Sequence, residues 1–363
     1  MRRGGLAAVV LVSTGVVVCV VAHWCLGTPG STAGRKPSLR AIPALDLPGP
    51  AATPGVALPE FRWEARALEA ARMYFPDAMM VYEVVPSMPN RDTAWNVAQR
   101  AGVTLPLERY AALPETDQSG YYYYLTDGAV AVTCFPDGNY GVEWRDRSPV
   151  HPLPERVILA LGVDETAALA EQFVADTPGL LPAAARLTQV VPKLVRHHWN
   201  SETRVEEAQI LTRAAVYRRF RDGFPEGRFS VEINGDGQVC SIHRNMRDVR
   251  PIGRYPILSP TEAAAALYSD AARVEGLSAA DAFYEVALIE KAEMEYYDGA
   301  LSWRMDTIQP IYRFTGTARD AGGRTTEFHA LVPAVRPEYT LPVEMPRPGG
   351  AAVKPGAGDA GAP

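Results

Sequence analysis

Six histidines and four cysteines are the side chains best suited to metal or nucleophilic chemistry, and their spacing brings few of them together. His197 and His198 are adjacent; in a strand, neighbours point to opposite faces, so the two cannot easily hold one metal. Cys240 and His243 have C-x-x-H spacing, but zinc needs two further ligands and no second pair stands at a suitable spacing. Glu290, Glu293, Glu295 and Asp298 form an acidic stretch, and paired carboxylates do acid and base work when their environments differ. Glu293 and Glu295 also alternate with Ala292, Met294 and Tyr296, which is the pattern of the wet face of a strand. Asp236 sits in a glycine turn and has the chemistry of a cation ligand, yet Asp-Gly turns form without an ion. Gly356-Ala357-Gly358-Asp359-Ala360-Gly361 matches G-x-G-x-x-G, with no strand pattern before it and no helix pattern after it. No Walker loop, H-E-x-x-H or G-x-S-x-G occurs. The expectation is therefore of no catalytic residue, no metal ligand and no cofactor.

The elements that must carry these residues are clearest between Gly227 and Arg273. Phe229, Val231 and Ile233 alternate with polar neighbours, Gly235-Asp236-Gly237 turns, and Val239, Ser241 and His243 face one way while Cys240, Ile242 and Arg244 face the other. A hairpin follows from that pattern. Ser259-Pro260-Thr261-Glu262 then reads as a capping box, with a helix whose inner face is Ala264, Leu267, Tyr268 and Ala271. Upstream, Phe61, Ala65, Leu68 and Phe75 recur at helical spacing, Met79 to Val85 reads as a strand, and Ala94, Val97, Ala98 and Ala101 make a helical stripe capped by Asn90 or Asp92. Tyr121 to Tyr124, Val130 to Cys134 and Tyr140 to Trp144 read as a meander, its tyrosines covering a sheet or offering a carbohydrate or peptide platform. A helix within Leu153–Leu181, capped by Asp164, buries Ala170, Phe173, Val174 and Thr177. Further strands cover Leu187 to Val195, Ile210 to Phe220, Tyr284 to Tyr296, Ile308 to Thr315 and Phe328 to Val332. Cys134 and Cys240 fall in different units, so no obligate disulfide is expected between them.

With 363 residues, 47 % apolar and 21 % charged, the chain is long enough for two or three modest domains. A net charge of -6 argues against a nucleic-acid partner. Arg2 and Arg3 precede Leu6 to Leu26, an apolar run without a formal charge, which is long enough to span a bilayer. Its length and Trp24 favour an uncleaved anchor over a cleaved signal peptide, with the bulk of the chain extracytoplasmic. Residues 28–59 are rich in proline, glycine and alanine and read as a linker.

A helix followed by antiparallel strands recurs, and Pro136-Asp137-Gly138-Asn139-Tyr140 and Asn234-Gly235-Asp236-Gly237-Gln238 turn comparable hairpins. The expected fold class is α+β, with repeated helix plus antiparallel-sheet units behind the N-terminal transmembrane helix. The expected divisions are 1–27 anchor, 28–59 linker, 60–150, 151–258 and 259–336 as three α+β units, and 337–363 tail. Tyr217 to Val239, Tyr255 to Ala263, Gln309 to Gly316 and Ala330 to Val335 resemble membrane-anchored bacterial extracytoplasmic proteins. They are similar in layout to PepSY-like domains and to the YycH/YycI-type accessory proteins of a cell-wall-sensing histidine kinase. That resemblance implies PepSY/cystatin-like layers and a non-enzymatic regulatory or partner-binding role, and it carries over no catalytic residue. The expected partner is an envelope or membrane protein or peptide. The contact elements would be the final strands, through Ile308, Tyr312 and Phe314 with Phe328, Ala330 and Val332, unless that alternation is plain core. The alternative is a cell-envelope hydrolase with a scattered active site.

Overall fold

The computed structural model describes residues 39–45, 47, 58–103, 111–117, 120–126, 128–149, 158–200, 204–277, 284–301 and 303–341. The expected anchor, most of the linker, the glycine string at 356–361 and the tail lie outside these residues. Among the described residues, no helix is long and apolar enough to cross a membrane. The described residues from Arg40 onward form one compact unit.

In chain order the strands are β1 (Ile42–Pro43), β2 (Glu60–Trp63), β3 (Ala78–Val84), β4 (Ala111–Asp117), β5 (Gly120–Thr126), β6 (Val130–Cys134), β7 (Tyr140–Trp144) and β8 (Arg186–Asn200). They continue as β9 (Val205–Arg221), β10 (Phe224–Asn234), β11 (Val239–Asn245), β12 (Val249–Pro256), β13 (Arg273–Glu275), β14 (Tyr284–Tyr297), β15 (Thr307–Asp320), β16 (Thr325–Pro333) and β17 (Thr340–Leu341). Among the described residues four helices accompany them: α1 (Ala65–Tyr74), α2 (Arg91–Arg100), α3 (Val163–Asp176) and α4 (Pro260–Ala265).

The expected α+β fold of repeated helix plus antiparallel-sheet layers is corrected here. About half of the described residues are strand, and β2 to β16 hydrogen-bond into one 15-stranded sheet whose main path is β12-β3-β15-β14-β10-β11-β7-β6-β5-β4. The molecule is mostly β. The physical reason lies at the strand edges, where unpaired N–H and C=O groups must find partners. The edges expected to bound separate layers satisfy one another instead: β7 pairs with β11, β10 meets β14, and β3 bridges β12 and β15. Local pattern shows a strand and its turn, but not which distant edge it will join.

Among the described residues, two large hydrophobic clusters fill most of the interior. In one, Ala98 and Ala170 of α2 and α3 pack with Val132, Val142, Val231 and Ile242. In the other, Ala263 and Leu267 pack with Met79, Ile289, Tyr312, Phe314 and Phe328. Each large side chain so buried contributes about 1.5–3 kcal/mol.

Local chemistry sets several boundaries. Asn90 Oδ1 accepts from Thr93 N at 2.9 Å and starts α2. Ser259 Oγ accepts from Glu262 N at 3.3 Å, while Glu262 Oε2 accepts from Ser259 N at 2.7 Å, completing the capping box of α4. α4 is shorter than its stripe suggests. A tighter turn follows it through Tyr268, whose ring is exposed and whose hydroxyl accepts from Phe61 N and donates to Pro59 O. Phe61 is likewise not helical: β2 lies parallel to β14 before α1 begins. The β10–β11 turn is held by Asn234 Oδ1, which accepts from Asp236 N and Gln238 N, each at 3.0 Å.

Candidate functional site

Strand alternation divides β10 in two: Phe229, Val231 and Ile233 go to the core, leaving Arg228, Ser230 and Glu232 on the opposite face. Register then builds a polar surface across three strands. Ser241 of β11 lies opposite both Glu232 of β10 and Glu143 of β7, and His243 lies opposite Ser230 and Gly141. Glu143, Glu232, Ser241 and His243, with Lys193 and Leu194 of β8, line a trough of about 840 Å³.

Its floor is held by a chain of hydrogen bonds. Leu194 N donates to Thr212 Oγ1 at 3.1 Å, Thr212 Oγ1 donates to Glu232 Oε1 at 2.5 Å, and Ser241 Oγ donates to Glu232 Oε2 at 2.7 Å. Both oxygens of Glu232 are thus committed to hydroxyls. A Cβ at Gly141 would stand 3.0 Å from His243 Nδ1, so the glycine makes room for the imidazole. Burial lowers the His243 pKa; Glu143 and Glu232 oppose that shift, while Lys193 and Arg228 add to it.

The structure disperses the residues that the sequence brought forward. His197 lies exposed on β8 with Nδ1 3.5 Å from Glu206, and the side chain of His198 lies outside those described. Cys240 and Cys134 are free and buried, and burial pushes both thiols up to about 12. Among the described residues, no group of three or more His, Cys, Asp and Glu is placed to hold a metal. Of the acidic stretch, Glu290 accepts from Thr317 Oγ1 at 2.6 Å and Glu293 pairs with Lys291 at 2.8 Å. Glu295, expected on the wet face, is buried between Arg218 and Arg313. Asp298 is buried against Arg247, 2.6 Å from Nη1. Arg247 has no solvent exposure and also donates to the carbonyls of Ala300 and Trp303.

Ile308, Tyr312, Phe314, Phe328 and Val332, the expected partner contacts, are brought together as core, each 0–1 % exposed. β13 pairs with β16 and covers its outer edge, and the Tyr312 hydroxyl donates inward to Leu258 O at 2.5 Å. Sequence reasoning missed the trough. Its one local signal was the hairpin register, which sets Glu232 against Ser241 and Ser230 against His243 across the Gly235–Gly237 turn.

Together these observations define the class: a mostly β protein with a polar trough across β7, β11 and β10. No protein-family model matches the sequence, and no curated protein matches it.

Proposed function

We propose that this chain is a membrane-anchored, extracytoplasmic protein that holds a protein or peptide partner without turning it over. The observation that carries this reading is the trough across β7, β11 and β10, with β8 at its side. Among the described residues β8 pairs with β9 alone, leaving its other edge open. An extended segment laid along that edge gains main-chain hydrogen bonds, while its side chains reach Glu143, Lys193 and His243 for selection. Anchoring and export rest on the apolar run Leu6 to Leu26 behind Arg2 and Arg3.

One contact favours a second reading, the hydrolase. The Ser241 hydroxyl touches the Glu232 carboxylate, a pairing of nucleophile with base. Against it, Thr212 shares the same carboxylate. His243 stands two residues along the strand from Ser241, about 7 Å away along the backbone, and the Ser241 hydroxyl bonds to Glu232 instead of to its ring.

A photo-crosslinking side chain at position 193 of the full chain in its own membrane tests both. Capture of an envelope protein or peptide, lost in Glu232→Lys, is the expected result. No captured species, together with cleavage of a peptide, peptidoglycan or ester that stops in Ser241→Ala, would replace binding with hydrolysis.

A further inference from the structure

Ahead of β2, residues 40–45 and 47 lie against the sheet in a way that sets them apart from the strands. Their ladder pairing is slight: Ile42 and Pro43 stand parallel to Thr340 and Leu341, and Ala44 N donates to Leu341 O at 3.2 Å. What holds them instead is a set of side chains from three other strands, each aimed at a main-chain carbonyl. Tyr255 Oη of β12 donates to Arg40 O, Gln309 Nε2 of β15 donates to Pro43 O, and Arg273 Nε of β13 donates to Leu47 O, each at 2.7 Å.

The side chains divide accordingly. Ile42, Leu45 and Leu47 are buried, and the two leucines pack on Ile311. Arg40, Ala41 and Pro43 are exposed. The groove under this segment therefore reads an extended backbone and three apolar side chains, and its three donors contact no side chain of the segment they hold. Tyr255 and Gln309 are themselves buried. Leaving such donors without an acceptor costs more than the bonds are worth, so the groove resists being bare. The carbonyls of any other extended segment satisfy the same donors equally well. A cavity of about 330 Å³, lined by Ile42, Pro43, Val84, Met305 and Leu341, runs beside the segment and gives an incoming chain a place to start.

We propose that residues 40–47 are a displaceable strap, and that the groove beneath them docks an extended apolar segment of a partner polypeptide, which replaces the strap carbonyl for carbonyl. Recognition is by main-chain hydrogen bonds with apolar residues at the places of Ile42, Leu45 and Leu47. The strap competes from the same chain at an effective concentration on the order of millimolar, so it holds the groove against weak or charged segments. This site rests on the partner-binding reading, to which it adds a second seat and its built-in competitor.

The test uses the purified full chain in mild detergent and a labelled, capped peptide with the sequence of residues 39–48. A chain carrying Leu45→Asp with Leu47→Asp, whose own strap no longer fits, is expected to bind the peptide at least tenfold more tightly than the unaltered chain. The same peptide with aspartate at those two places should bind neither. Tyr255→Phe, added to the strap variant, removes one donor and should weaken binding about fivefold. A strap variant that keeps its melting transition yet binds no peptide, or binds both peptides alike, overturns the groove. Should the variant fail to fold, a protease site placed at residues 51–53 of the otherwise unaltered chain decides instead. After cleavage, excess peptide is expected to release the N-terminal fragment; a fragment that never exchanges shows the strap to be fixed structure and overturns the proposal. Crosslinking at position 193 reads the trough independently, so the two proposals fail separately.

Discussion

His243 fits its place because the residue across from it on β7 has no side chain. Gly141→Ala would set a Cβ 3.0 Å from Nδ1 and force the imidazole to move. Burial lowers the His243 pKa below 6.5, so the fold prefers the neutral ring. Its contribution to stability is full above 6.5 and is lost as pH falls through the depressed folded value. Urea midpoints measured from pH 7.5 down to pH 5 should fall, and His243→Gln should flatten that limb; an unchanged slope would remove His243 from the account. Arg247 makes a larger claim. Its guanidinium is wholly buried between Asp298, Asp137 and several carbonyls, so Arg247→Met leaves carboxylates buried without their cation. A loss of about 3–5 kcal/mol is expected by denaturant melting. Neither role was legible in the sequence. Asp137 and Asp298 come to Arg247 from separate stretches, and Gly141 reaches His243 only through the β7–β11 pairing.

At the scale of elements, what could be read was what neighbours in sequence decide. The β10–β11 hairpin, the Asn90 cap and the Ser259 capping box all depend on residues a few positions apart, and each stands where its pattern put it. What could not be read was set by pairing across the chain. Phe61 carried a helical spacing, yet β14 offered an edge and β2 took it; Tyr268 carried a helical stripe, yet its hydroxyl serves the start of β2. The same division ranks two substitutions. Ser259→Ala removes one cap and should cost about 1 kcal/mol. Gly316→Ala places a Cβ 1.9 Å from Leu288 O, a backbone atom that cannot swing aside, so β14 and β15 must separate locally. Its cost should exceed that of the cap, about 1–3 kcal/mol or more. Thermal melts of the two variants check the order, and equal losses would contradict the close approach.

At the scale of the molecule, the sheet closes over sequence distance: β3 lies between β12 and β15, and β2 lies on β14. Removing residues 58–86 should therefore unfold the strands that flank them as well as the segment itself. Hydrogen exchange of the shortened chain would show lost protection across β12, β14 and β15; native protection there would refute it. The parallel seat of β2 on β14 also bears on how the chain is made. Phe61 N donates to Tyr268, 207 residues downstream. At about 5–20 residues per second, that span takes about 10–40 s to synthesise. For most of that interval β2 and β3 have been made while their neighbours β12, β14 and β15 have not. Met79, Val81 and Val84, buried in the finished fold, must wait uncovered in the nascent chain, and a holding chaperone would have its strongest claim on this segment.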